Sequence, residues 1–281
     1  MPPIAIVTDT SSDLLPEQAA EAGIRLVPLT VSFGDETFEA VTELRNEDFY
    51  PRLTAPGAAL PRTAAPNPRQ FESAYREALE SGADGVVCVT LSQKLSATYS
   101  SAVQGAKALE PGSVEVVDSR TTTHALAMIA TEAAAFAQGG ASLADVVSRT
   151  QDLAGRSHLY FAVDTLEYLQ KGGRIGRASA LLGTLLSIKP ILFVEDGAVG
   201  TADKLRTAAK ARARLLELVS QRPVERATVL HTLAPGVEAF RDEFATLVDL
   251  APETVPIGLV GPVAGTHVGP GMYGVSLITP A

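Results

Sequence analysis

Aromatic and sulfur-containing residues are scarce in this chain. Among its 281 residues there is no tryptophan, one cysteine and four histidines, and aromatic residues account for only 5%. The single cysteine, Cys88, cannot form a disulfide within the chain and lies in an apolar run, which predicts a buried thiol in a reducing compartment. The histidines lack the spacing of metal ligands, so we expect neither a metal site nor a bound cofactor.

The chain also has few basic residues and lacks long apolar runs. Lysine and arginine number 23 against 32 acidic residues, for a net charge of -9. Nucleic-acid binding requires a basic face, so we expect no nucleic-acid partner. No apolar run reaches the roughly 18 residues that span a bilayer, and no secretory signal precedes the first predicted strand, at residues 4–7. These features predict a soluble, cytoplasmic protein.

Strand-like runs alternate with helical patterns along the chain, which is typical of an α/β fold. Residues 1–156 predict a mostly parallel, Rossmann-like sheet with helices between its strands. The pattern changes at residue 157, and residues 157–281 predict a smaller α/β domain with a mixed sheet. Within these parts we expect a Pro- and Ala-rich loop at 55–66, an amphipathic helix at 178–186 and a glycine-rich loop at 261–271.

Common nucleotide and hydrolase motifs are missing or misplaced. The chain contains no Walker A sequence and no Gly-x-Ser-x-Gly. Residues 269–274 match Gly-x-Gly-x-x-Gly, but a strand and the chain end follow them instead of a helix. We therefore expect no self-contained ATP or dinucleotide site and no nucleophile elbow.

The most informative segment is a hydroxyl-rich turn at residues 92–101. It follows the apolar run 86–91, which predicts a buried parallel strand, and a helix is predicted directly after Ser96. The start of a helix directs N–H groups and the positive end of its dipole outward, so this turn is suited to an anionic head group. Ser96 can also be a simple helix N-cap that needs no ligand, and the two roles are compatible.

Two other polar residues are candidates for the same site. Thr63 ends the predicted loop just before a helix, where a turn residue is the alternative. His267 has a glycine two residues away on each side, which allows the backbone a close approach. It is either a second donor to an anion or a loop histidine bonded to its own backbone.

A basic turn precedes the predicted amphipathic helix. It contains Lys171, Arg174 and Arg177, and the apolar positions that follow are Leu181, Leu182, Leu185 and Leu186. Ordinary core packing explains such a helix. The arginines can instead contact a protein partner or an anionic membrane surface.

Motifs along the whole chain resemble those of the DegV family. Four of them contain candidate residues named above, at 63–68, 95–102, 168–175 and 265–271. Further matching segments lie at 6–14, 31–34, 117–119 and 188–192. The number and order of these motifs make the resemblance specific, and it covers residues 3–280 as one DegV-type unit.

The resemblance implies a two-domain α/β protein that binds a long-chain fatty acid, such as palmitate, between its domains. It implies that the hydroxyls of Thr63 and Ser96 hold the carboxylate, with His267 and its neighbour Thr266 close by. It also implies a non-catalytic carrier acting in lipid transport or fatty acid metabolism. In that role the protein presents the acid to a separate fatty acid kinase subunit, which converts it to an acyl phosphate.

Two positions depart from the family pattern. Ala97 stands where a glycine usually follows the binding serine, and Ala64 and Ala65 stand where Ser-Gln is frequent. The geometry of the head group or the docking of a partner can therefore differ from the family's.

Two other classes of function stay open from the residues alone. A serine hydrolase or acyl transferase would use Ser96 as nucleophile and His267 as base, although no acid partner is evident. A structural or regulatory protein would use the hydroxyl cluster only to cap helices.

Overall fold

The computed structural model describes residues 4–281, with the backbone alone over residues 182–187. Within this range the strands are β1 (Ile4–Asp9), β2 (Ile24–Val27), β3 (Thr30–Phe33), β4 (Glu36–Glu39), β5 (Arg62–Ala64), β6 (Gly85–Thr90), β7 (Val114–Asp118), β8 (Ser157–Ala162), β9 (Lys189–Glu195), β10 (Ala198–Leu205), β11 (Arg226–His231), β12 (Ile257–Leu259) and β13 (Tyr273–Ile278). The α-helices are α1 (Pro16–Glu21), α2 (Asn46–Thr54), α3 (Pro68–Glu80), α4 (Thr98–Ala106), α5 (Thr123–Gln138), α6 (Leu143–Arg156), α7 (Glu167–Lys171), α8 (Ala208–Ser220), α9 (Val237–Leu247) and α10 (Pro262–Val268). Segments of 3-10 helix are Thr10–Ser12, Gly176–Ser187 and Pro252–Thr254.

A parallel sheet in the order β2-β1-β6-β7 organises the N-terminal part. Every residue of β6 is buried, as an unbroken apolar run predicts for a strand covered on both faces. Helices α5 and α6 pack on one face of the sheet, and α3 and α4 pack on the other. The predicted parallel, Rossmann-like sheet is confirmed.

The C-terminal part contains a mixed sheet in the order β10-β9-β8-β13-β11-β12. Strands β11 and β12 are parallel, and the other neighbours pair antiparallel. Helices α8 and α9 cover one face, and the other face turns its apolar side chains towards α7 and α10. The mixed α/β architecture is confirmed. The expected domain boundary at 156/157 falls between α6 and β8, and the division into domains stays a prediction.

A third, antiparallel sheet, β4-β3-β5, packs with α2 against α10. The Tyr50 hydroxyl donates to the Val260 carbonyl at 2.6 Å, and Asn46 Nδ2 donates to the Leu259 carbonyl at 3.2 Å. This layer therefore ties the N-terminal part to the C-terminal part. The sequence pattern did not predict α2, because Pro51 lies inside it and proline normally interrupts a helix.

Two expected segments differ from the structure. Residues 261–271 do not form a loop throughout, because α10 occupies most of them. Pro262 suits the first turn of α10, where its missing N–H would have no helical partner, and Gly269 ends the helix with φ of 71°. The expected helix at 178–186 is 3-10 helix within Gly176–Ser187. The side chains of Leu182, Leu185 and Leu186 lie outside the described residues.

Candidate functional site

A mostly apolar cavity lies between the carboxyl-terminal edge of the parallel sheet and the face of the mixed sheet opposite α8 and α9, with α10 along one wall. The space between its lining atoms is about 720 Å³, which includes solvent at its open mouth. Its apolar lining residues are Leu29, Leu91, Leu95, Leu159, Phe161, Leu169, Val194, Val199, Leu230, Val260, Val263, Ala264, Val268 and Met272. Its polar lining residues are Thr63, Ser96, Thr122, Thr123, Arg174 and His267.

The Ser96 turn is fixed by a network around Ser92. The Ser92 hydroxyl donates to the Gly197 carbonyl in the β9–β10 turn at 2.7 Å, and its N–H donates to the Thr121 carbonyl at 2.8 Å. The N–H of Ser96 donates to the Ser92 carbonyl at 3.2 Å. The turn is therefore held by both parts of the molecule.

The Ser96 hydroxyl has a capping role and also faces the cavity. Its oxygen accepts from the Thr98 N–H at 3.3 Å and lies 2.8 Å from the Thr98 hydroxyl oxygen. Helix α4 begins at Thr98, so Ser96 precedes the N-cap residue Ala97. Because Ser96 is only half-buried and its contact with the Thr98 N–H is long, its hydroxyl retains hydrogen-bonding capacity for a ligand.

Thr63 and His267 meet at the cavity wall although they lie 204 residues apart. The Thr63 Oγ1 is 2.9 Å from His267 Nε2. Thr63 is not in a loop as expected: it belongs to the short strand β5, where it pairs with Val31 of β3. His267 lies in the last turn of α10, which packs against β5.

The environment of His267 keeps its ring neutral. Burial lowers its pKa to about 4, and the nearby Arg174 guanidinium lowers it too. If Nε2 carries the ring proton and donates to Thr63 Oγ1, the hydroxyl hydrogen of Thr63 is free to donate into the cavity. In this tautomer Thr63 can serve as a donor to a carboxylate.

Arg174 also belongs to the cavity wall. Its Nε donates to the Leu95 carbonyl at 3.1 Å and its Nη1 donates to the Gly172 carbonyl at 2.7 Å. Gly172 leaves room for the neighbouring imidazole, because a Cβ at this position would overlap His267 Nδ1. The sequence predicted Arg174 in a basic turn. No pattern in the neighbouring residues predicted its contact with the Ser96 turn, because the two segments are far apart in the chain.

The other expected site residues lie elsewhere. The Thr266 hydroxyl is buried and donates to the Pro262 carbonyl within α10 at 2.8 Å, away from the cavity lining. Arg177 is exposed to solvent. Only Arg174 of these two arginines lines the cavity.

Ser96 and His267 do not form a nucleophile–base pair in the described geometry. The Ser96 hydroxyl contacts Thr98, and Nε2 of His267 contacts Thr63. Nδ1 of His267 is buried and has no hydrogen-bond partner among the described residues. A hydrolytic triad requires a carboxylate at this second nitrogen to orient the ring.

The described part of the chain contains no cluster of three His, Cys, Asp or Glu side chains suited to a metal ion. Over the same residues, no helix has the length and apolar character required to cross a bilayer.

Known proteins resemble the chain over nearly its full length. The family model described as an uncharacterised protein of the DegV family matches residues 3–280. A DegV domain-containing protein of Streptomyces coelicolor is 40% identical over 97% of each chain. The structure of a DegV family protein from Thermus thermophilus, described for its fatty acid binding, has a TM-score of 0.90 at 35% identity over 99% of both chains. DegV of Bacillus subtilis, described as a fatty acid binding protein, has a TM-score of 0.86 at 30% identity over 99% of both chains.

Proposed function

The chain belongs to the DegV family, and we propose that it is a non-catalytic carrier that binds a long-chain fatty acid, such as palmitate, in the cavity. The observation that carries the proposal is an apolar cavity with Thr63, Ser96 and His267 in its wall. The fatty acid binding described for the relatives from Thermus thermophilus and Bacillus subtilis supports the same ligand class.

The two chemical parts of the cavity have different tasks in this proposal. Burying an acyl chain of 16 carbons contributes on the order of 10 kcal/mol, at about 0.8 kcal/mol per CH2 group, before the costs of association. The apolar wall therefore provides most of the affinity. The hydroxyls of Thr63 and Ser96 determine where the carboxylate lies, and the Arg174 guanidinium nearby offsets its charge.

We propose that the carboxylate is presented to a separate fatty acid kinase subunit. Thr63 and Ser96 are half-buried, so a head group held by them lies near the cavity mouth. Neutral hydroxyl donors leave part of each carboxylate oxygen accessible, as a substrate of another enzyme requires. A function in lipid transport or fatty acid metabolism in the cytoplasm follows from this role.

We further propose a transient contact with a membrane surface during loading and unloading. Release of the acyl chain into water loses the free energy of its burial, whereas release into a bilayer keeps the chain in hydrocarbon. The exposed Arg177 is suited to attract anionic lipid.

Native mass spectrometry tests the proposed ligand. We expect the purified protein to carry a long-chain fatty acid, or to gain the mass of one palmitate after incubation. Persistence of the ligand-free mass at saturating palmitate would contradict the proposal. An active-site serine probe addresses the hydrolase alternative, since covalent labelling of Ser96 would favour an enzyme.

A further inference from the structure

A second polar position lies in the cavity wall, apart from the residues assigned to the carboxylate. It is the Thr122–Thr123 turn at the start of α5, and both residues line the cavity. Thr123 is only 5% exposed. Its hydroxyl has no hydrogen-bond partner among the described residues.

The backbone at this turn has an uncommon conformation. Thr123 has φ of 57°, a left-handed value that is unfavourable for a β-branched residue. The preceding residue, Thr122, makes no side-chain cap to α5, and the first turn contains no acidic residue. The start of α5 therefore places an unpaired hydroxyl in a mostly apolar cavity wall.

The residue before this turn, Thr121, accepts at its carbonyl from the Ser92 N–H of the Ser96 turn, whereas the residue after it contacts the segment that leads into α10. His124, next to Thr123, has its Nε2 3.4 Å from the carbonyl oxygen of Leu259, just before the start of α10. His267 lies in the last turn of that helix. Seven residues of helix span roughly 10 Å, so a ligand with its carboxylate beside His267 and its chain along α10 would pass the start of α5 at mid-chain.

Water can pair with this hydroxyl in the empty site, whereas a plain alkyl chain that displaces the water leaves it unpaired. A ligand oxygen at the same depth would pair with it, since a threonine hydroxyl both donates and accepts. Unusual backbone conformations often accompany positions that contact ligands. The two features coincide at Thr123.

We propose that Thr123 forms a subsite for an oxygen substituent on the chain of the bound acid, so that the ligand class includes mid-chain hydroxylated long-chain fatty acids. This inference rests on the proposed fatty acid binding. It adds a polar contact to the tail region, separate from the Thr63 and Ser96 contacts with the carboxylate.

The test compares stearic acid with 10-hydroxystearic acid by calorimetry, using the wild type and Thr123→Val. Valine keeps the β-branch and the volume, so it removes the hydroxyl with little change in backbone strain. We expect the wild type to bind the hydroxylated acid at least as tightly as stearic acid. The substitution should weaken the hydroxylated acid about tenfold, equivalent to about 1.4 kcal/mol, and change stearic acid less than twofold.

Thr150→Val is the matched control, because this buried hydroxyl in α6 already donates to the Val146 carbonyl at 2.7 Å and lies outside the cavity lining. It should leave the ratio of the two affinities unchanged. If stearic acid binds and Thr123→Val does not alter that ratio, the subsite is overturned. If neither acid binds the wild type, the proposed function itself fails.

A second measurement does not depend on the stability of the variant. The wild type is titrated with 3-, 10- and 17-hydroxy acids of equal chain length. We expect the tightest binding for the mid-chain isomer. If a hydroxyl weakened binding equally at all three positions, the subsite would be overturned, because no position along the chain would then gain a hydrogen bond from Thr123.

Discussion

The hydroxyls of Ser96 and Thr63, the proposed carboxylate donors, make different local contacts. The Ser96 hydroxyl supports the first turn of α4 through a long contact of 3.3 Å, whereas the Thr63 hydroxyl contacts His267 at 2.9 Å. Both side chains are half-buried, so neither hydroxyl is essential to the core. Their removal should therefore affect the bound carboxylate more than the fold.

We expect Ser96→Ala to weaken palmitate binding at least tenfold. It removes a hydrogen bond to a charged acceptor, worth about 1.5–3 kcal/mol. Thr63→Val should act in the same direction, and Thr37→Val, at an exposed position on β4 at the far edge of the same sheet, serves as control. Calorimetric titration measures the affinities, and melting of the ligand-free protein should change little. A sharp fall in melting temperature with intact binding would show that Ser96 is only a helix cap.

Two glycines in helices, Gly105 and Gly155, differ in how closely other atoms surround them. Gly105 in α4 lies against the backbone of α3: a Cβ there would lie 2.7 Å from the Pro68 carbonyl oxygen and 2.9 Å from the Glu72 nitrogen. Gly155, near the end of α6, is exposed and has open space around it. The two glycines have opposite consequences for the stability of their helices.

The pair Gly105→Ala and Gly155→Ala tests this contrast. Gly105→Ala should destabilise the protein by about 1–3 kcal/mol, because α3 and α4 must move apart. Gly155→Ala should raise the free energy of unfolding by about 0.5–1 kcal/mol, since alanine loses less backbone entropy in a helix. Denaturant unfolding measures both. Equal effects of the two substitutions would contradict the close approach of α3 and α4.

The stability of the whole molecule depends on buried ionisable groups. Asp9 at the end of β1 is fully buried and accepts from the Ser11 N–H, the Ser11 hydroxyl and the Leu91 N–H. Burial raises its pKa to about 6, and these hydrogen bonds oppose the rise. An unfolded aspartate has a pKa of about 3.9. Between these values the folded state holds a proton that the unfolded chain has released.

This difference in pKa predicts that the unfolding free energies of the wild type and Asp9→Asn differ by an amount that depends on pH. The stability contributed by the protonated carboxyl is fully present below about pH 4 and is lost as the pH rises through 6, by about 3 kcal/mol in total. The variant cannot ionise here, although its amide opposes the Leu91 N–H at every pH. Unfolding free energies between pH 4 and 7.5 should therefore show the wild type losing stability relative to the variant. Parallel curves would refute the assignment.

The proposed exchange of the acid with a membrane also belongs to the scale of the whole molecule. Arg174 donates hydrogen bonds in the cavity wall, so its substitution could also alter the cavity. Arg177 is exposed and is therefore the better position for this test. We expect Arg177→Glu to slow transfer of a fluorescent fatty acid to anionic vesicles at low salt without changing its affinity, because the charge attracts anionic lipid and salt screens it. Arg69→Glu, at an exposed position on α3, is the charge-matched control. Equal slowing by both variants would indicate a net-charge effect and contradict a contact at Arg177.

Local sequence was sufficient for the elements whose signals lie in consecutive residues. The apolar run of β6 and the hydroxyl turn after it predicted a buried parallel strand followed by a helix, since burial on both faces and helix entry are both local patterns. The family resemblance added the expectation that Thr63 and His267 share the site with Ser96. The roles of these three residues stay a prediction for the binding experiments.

Tertiary structure alone decided the contacts between distant segments. No local window contains both Thr63 and His267, and their hydrogen bond exists because α10 packs against β5. Packing of α10 against α7 requires a glycine at 172, and Arg174, two residues later, donates to the Leu95 carbonyl. The sequence by itself determined the strongly patterned strands, such as β6, and which polar residues are available, whereas the short strand β5 was not evident from it. Their placement around one cavity was decided by long-range packing, because the free energy of burying apolar faces depends on which faces meet.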